Sequence, residues 1–122
     1  MMPILALLAA VGATSVHAKY QLLIPPPFRG DWDESAKGCE EGDWSSHLKI
    51  KSRTIEPYES EGQLRSLRIL DQNSIAIVAR YKWADGSEVA SERFILSPDQ
   101  QHLTWLTGGE RHRLIRCRPK PL

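Results

Sequence analysis

The stretch Ser74-Ile75-Ala76-Ile77-Val78-Ala79-Arg80-Tyr81-Lys82 decides the fold class. In an extended strand Ile75, Ile77, Ala79 and Tyr81 share one face, while Ser74, Ala76, Val78, Arg80 and Lys82 share the other. Turn chemistry flanks it on both sides, at Asp71-Gln72-Asn73 and at Asp85-Gly86. Outward from there, short runs rich in Ile, Val, Leu, Tyr, Trp and Thr alternate with further punctuation at Ser52-Arg53, Glu61-Gly62, Pro98-Asp99 and Gly108-Gly109. The pattern predicts strands over residues 29–33, 48–51, 54–60, 63–70, 74–82, 88–97, 102–107 and 111–117. Within 63–70 the alternation breaks, because Leu64 and Leu70 fall in phase with Ser66 and Arg68 while Leu67 and Ile69 fall out of phase. That mismatch predicts a β-bulge. The one helical candidate is a single turn at 33–37. The expected fold is all-β, an antiparallel eight-stranded up-and-down meander. Closure into a barrel removes both edges and leaves an interior that side chains or one small ligand can fill; a flattened β-sandwich is the alternative.

A composition that is 41% hydrophobic and 25% charged fits one globular domain and excludes a disordered or membrane-spanning class. Residues 1–18 contain no Lys, Arg, Asp or Glu, are apolar from Ile4 to Val11, and end in Val16-His17-Ala18, with small residues where a signal peptidase reads. Cleavage after Ala18 is expected, giving a periplasmic or secreted chain that starts at Lys19. The alternative is an uncleaved anchor, but the apolar run is shorter than the roughly 20 residues that span a bilayer, so stable membrane insertion is not expected. Residues 19–27, with Pro25-Pro26-Pro27, form an extended arm, and 28–122 form the domain. The formal net charge of +1, with acids and bases interspersed, gives no electrostatic case for nucleic acid. The two cysteines, Cys39 and Cys117, are an even count in an exported chain, which predicts a disulfide. No Cys-x-x-Cys or Cys/His spacing supports a metal site in its place.

The domain opens Phe28-Arg29-Gly30-Asp31-Trp32, a Gly-x-Trp on the first strand, and closes on an Arg-rich last strand. This resembles the lipocalin-like proteins. The resemblance implies that Trp32 plugs one barrel end beneath an arginine of the last strand, Arg116 or alternatively Arg118; a guanidinium over an indole is a cation–π pair closing an apolar interior. The layout of export signal, proline arm, Gly-x-Trp, early Cys and late Cys is also similar to that of short bacterial exported proteins, among them periplasmic protease inhibitors, from which the position of the cysteines departs.

No residue set points to catalysis. Asp31, Asp33, Glu34, Glu40, Glu41 and Asp43 read as a solvated loop and lack the Gly and Glu spacing of a calcium loop. His47, His102 and His112 fall on separate strands with no carboxylate neighbour in sequence pattern, and read as rim histidines. No Ser lies in Gly-x-Ser-x-Gly. The reading is therefore a non-enzyme without metal or cofactor. Trp105 alternates with Leu103 and reads as core. Trp83, at a hairpin end, and Trp44, in the loop after Cys39, read either as local packing or as a binding edge. With the arm residues Tyr20, Leu22, Leu23 and Ile24 they form the expected partner surface, the arm having a second reading as a lid over the barrel mouth. The expected function is binding, as an inhibitor or accessory partner of another exported protein. The alternatives are a carrier of a small apolar ligand, which the large inward residues Trp32, Phe94, Leu96 and Trp105 oppose, and an envelope protein without ligand.

Overall fold

The computed structural model describes residues 22–41 and 44–119. Residues 1–18, expected to be a signal, Tyr20 and the side chain of Trp44 lie outside the described residues. Eight antiparallel strands close in chain order: β1 (Gly30–Asp33), β2 (Leu48–Ile50), β3 (Thr54–Glu56), β4 (Glu61–Asp71), β5 (Ser74–Trp83), β6 (Gly86–Leu96), β7 (His102–Thr107) and β8 (Glu110–Arg116). The barrel is sealed where β1 pairs with β8, Trp32 opposite Arg116 and Asp33 opposite Ile115. The inward face of β5 is the apolar one, with Ile75, Ile77, Ala79 and Tyr81 all buried. Leu48, Ile50, Ile55, Leu67, Phe94, Leu96, Leu103 and Leu114 join them in one core.

The bulge falls where the sequence pattern breaks. The β4–β5 register shifts between Leu64 and Ser66 and again between Ile69 and Asp71. The first shift lets both Leu64 and Leu67 face the core while Ser66 and Arg68 turn outward; without it Leu64, Ser66 and Arg68 would all point in. Most strand ends differ from expectation by one or two residues, and the differences at β3 and β4 have local causes. β3 stops at Glu56 because Pro57 has no N–H for the ladder, and the chain then turns through Glu59 at φ 54°. Gly62, expected in a turn, lies inside β4. The Tyr81 ring lies flat over it, so close that a Cβ there would sit 2.5 Å from the ring.

The loop after β1 is more ordered than the single turn expected of it. Helix α1 (Ala36–Glu41) is capped by Ser35, whose Oγ accepts from the Gly38 N–H at 3.0 Å. Cys39 on α1 is joined to Cys117, just past β8, with 5.4 Å between Cα atoms, well inside the range a disulfide spans.

The described part of the arm, residues 22–27, packs onto a barrel end, the geometry of its second reading as a lid. Ile24 is fully buried and its N–H donates to the Ser52 carbonyl at 2.8 Å. Pro26–Phe28 form a 3-10 turn that buries Phe28, and Arg29 Nε donates to the Ile24 carbonyl at 2.8 Å. Ile24 is therefore a core residue, not a partner contact, and the folded domain starts at Ile24 rather than Phe28. The prolines suit this path, because a segment crossing a barrel end needs no ladder donors. Ile24 and Phe28 gain by burial what a free arm would leave in water. Leu22 and Leu23 remain exposed.

Candidate functional site

One barrel end is closed by Trp32. Gly30 adopts φ 129°, a conformation that L side chains avoid, and a Cβ there would lie 3.1 Å from Arg116 Nη1. That is the physical content of the Gly-x-Trp pattern: the glycine clears space for the arginine that covers the tryptophan. The Arg116 guanidinium carbon lies 4.2 Å from the Trp32 ring centroid. Its nitrogens donate to the carbonyls of Pro27 at 2.6 Å, Arg29 at 2.8 Å and Gln100 at 3.0 Å. The indole N–H donates to the Phe28 carbonyl at 3.0 Å. Arg118 is exposed and past the last strand, so the lid is Arg116.

Towards the opposite end the interior is polar, and the acid there, Glu92, is in phase with the inward Phe94 and Leu96. Glu92 is buried on the inward face of β6. It accepts from the Tyr81 hydroxyl on β5 and from the Trp105 Nε1–H on β7 at 2.8 Å. The Trp105 ring lies 5.0 Å from that of His112 and 6.4 Å from that of Phe94. Trp105 is thus partly buried, packed against the core and tied by its polar edge. Desolvation, and then the Glu92 charge, push the Tyr81 phenol well above its ordinary value of 10.0. The folded state therefore keeps this proton to higher pH than the unfolded chain. Its contribution to stability is complete below about pH 10 and falls as pH rises beyond it. Tyr81→Phe is expected to cost about 1 to 3 kcal/mol near neutral pH, by stripping a buried carboxylate oxygen of its donor, and to flatten the alkaline decline. Urea melts at about pH 7 and about pH 11 measure both effects; equal alkaline slopes for the two proteins would refute the assignment.

The acids of the first strand are not a solvated loop. Asp33 is fully buried, accepting from the Glu34 N–H at 2.7 Å and the Ser46 hydroxyl at 2.6 Å. Gly38 packs against it so closely that a Cβ would come 2.4 Å from Oδ1. His47 lies between two carboxylates, with Nε2 2.9 Å from Asp31 and Nδ1 3.5 Å from Asp33. His102 and His112 also have carboxylate neighbours, Asp99 at 3.8 Å and Glu110 at 3.1 Å, as solvent-accessible pairs. The Asp31–Asp33–His47–Ser46 set pins the loop after α1 onto the outer face of β1. Among the described residues no group of three or more metal-ligating side chains converges.

The exposed features lie elsewhere. β7 pairs with β6 only from Glu92 to Leu96, whereas β5 pairs with β6 from Gly86 onward. Among the described residues, the 86–91 stretch of β6 therefore has no ladder partner on its second edge. Beside that hairpin, Tyr58, Glu59 and Ser60 face Trp83, Ala84 and Asp85 across an open cleft. Tyr58 is 52%, Trp83 40% and Val89 55% exposed. The Trp83 indole rests across Gly86, where a Cβ would lie 3.1 Å from its Nε1. A second open cleft, of about 840 Å³, runs over β4, β5 and β6 to the tip of the β7–β8 hairpin. No family model, curated protein or solved structure matches the chain. The function must accordingly be argued from these surfaces alone. Of the partner residues expected from sequence, Trp83, Leu22 and Leu23 are exposed, Ile24 is not, and Tyr58, Val89 and the unpaired edge went unseen. The edge is open because β7 ends at Thr107, opposite Glu92, and turns back at Gly108-Gly109; the turn is local, but the register that sets it opposite Glu92 is not.

Proposed function

We propose that the protein is an exported, periplasmic or secreted binding protein that acts through its outer surface as an inhibitor or accessory partner of another exported protein. The observation that carries this is the unpaired 86–91 edge of β6 beside the exposed Trp83, Tyr58 and Val89. An open strand edge offers main-chain donors and acceptors to an extended segment of a partner, and neighbouring aromatic side chains supply anchors. The edge has no Pro and no Lys to blunt it. The disulfide is compatible with export, and Gly-x-Trp under an arginine keeps the resemblance to lipocalin-like proteins. The filled interior, plugged by Trp32 and crossed by the Tyr81–Glu92–Trp105 contacts, argues against an apolar-ligand carrier.

The test is site-specific photo-crosslinking of residues 19–122 in exported extract of the source organism, with the probe at position 83 and, as control, at position 37 on α1. A discrete adduct from position 83 only, abolished by Val89→Lys or Tyr58→Ala in proteins of unchanged melting temperature, is the expected result. Adducts equal at both positions, or none, would defeat the proposal.

A further inference from the structure

The cleft over β4, β5 and β6 carries a row of arginines whose origin is the strand register. Arg68 pairs opposite Ala76, Ala76 opposite Arg93, Arg93 opposite Leu106, and Leu106 opposite Arg111. The five residues cross five adjacent strands on the outer face, and all of them line the cleft. Ser66, Val78 and Ser91, outward like the arginines, line it as well, with the inward-turned Leu67, Ile77 and Glu92 lying between these two outward rows, so the cleft lies over the outer face of the sheet. With strands about 4.8 Å apart, successive arginines stand about 10 Å apart along the row.

Two acids line the cleft, Glu92 and Glu110, and neither is within ion-pair distance of these guanidinium groups. Glu92, the one acid at the floor, has its oxygens occupied inside the barrel by Tyr81 and Trp105. Glu110, at the hairpin tip, lies 3.1 Å from His112. Among the described residues no ion pair engages Arg68, Arg93 or Arg111. Three unneutralised forks above an apolar floor of Ala76, Val78 and Leu106 suit carboxylates presented by a chain that also has apolar surface to bury. The cleft has no aromatic side chain, so it lacks the stacking platform that single-stranded nucleic acid uses.

We infer that this cleft docks an extended acidic peptide segment of a protein partner, its carboxylates taken by Arg68, Arg93 and Arg111. The inference rests on the reading of the chain as a surface-acting binding protein and gives that surface a second, electrostatic contact. A polyproline II peptide rises about 3.1 Å per residue with three residues per turn, so acids at every third position share a face at a spacing of about 9 Å, close to that of the arginine row.

The experiment is fluorescence anisotropy with the intact disulfide-bonded chain and two labelled peptides of equal composition. One is Glu-Pro-Pro-Glu-Pro-Pro-Glu, and the other has its glutamates contiguous. The spaced peptide is expected to bind in a saturable, salt-sensitive way and to prefer the wild type over R68Q/R93Q/R111Q by at least about tenfold. These exposed substitutions should leave the melting temperature unchanged, which separates lost binding from lost folding. Binding indifferent to the triple substitution, or absent for both peptides, would overturn the inference. So would arginine-dependent binding of polyphosphate or anionic vesicles without peptide binding, since the partner class would then be wrong. Crosslinking at position 83 is read separately, so a failure here leaves the broader proposal standing and a failure there does not mimic this one.

Discussion

Trp32→Ala is expected to lower the stability of the protein by about 3 to 5 kcal/mol, the range for truncating a buried aromatic residue. The indole is fully buried, and its loss reaches beyond the cavity it leaves. Arg116 would lose the ring 4.2 Å beneath it, and the Phe28 carbonyl would lose its donor. The 3-10 turn that carries Phe28 and the buried Ile24 is held to this same end, so the cost should spread into the arm. Typical domain stabilities are about 5 to 15 kcal/mol, which leaves the variant close to unfolding. Urea melts measure the change, and a loss below about 1 kcal/mol would show that Trp32 is not a structural plug. Arg116→Lys should recover only part of Arg116→Ala, because an ammonium cannot reproduce a planar fork serving three carbonyls.

The second large effect belongs to the Cys39–Cys117 bond, which closes a loop with a sequence separation of 78. Chain-entropy reasoning puts its contribution at about 4.5 kcal/mol, an upper figure because the reduced unfolded chain retains some structure. Cys39→Ser with Cys117→Ser should accordingly lower the melting temperature by up to about 20 °C in a domain of this length. The bond also secures geometry. It ties α1, whose Gly38 covers the buried Asp33, to the residue whose N–H donates to the Asp31 carbonyl at 2.8 Å. Calorimetry of the oxidised protein and the double-serine variant decides the matter. A difference of only a few degrees would mean that the barrel holds its seam without the bond.

Strand number, strand order and the bulge in β4 follow from the sequence because each is encoded locally. Alternation with period two, interrupted by turn residues, marks a half-buried strand wherever it occurs. Leu64, Ser66, Leu67 and Arg68 could not all be placed sensibly without one extra residue. The disulfide was legible for a simpler reason, since the sequence holds two cysteines and they leave one pairing. What only the tertiary structure decided are the contacts made across strands. Strand phase puts the carboxylate at position 92 on the inward face with Phe94 and Leu96, but its partners, the Tyr81 hydroxyl and the Trp105 indole N–H, come from the neighbouring strands. Ile24 looked like a free anchor until the barrel end it covers existed. Arg68, Arg93 and Arg111 are scattered over three strands, and they fall in one row because the ladder registers, reset by the β4 bulge, bring their outward faces level. Period and turns are properties of a few consecutive residues, whereas register and burial are sums over all the strands that meet, and those sums exist only once the barrel has closed.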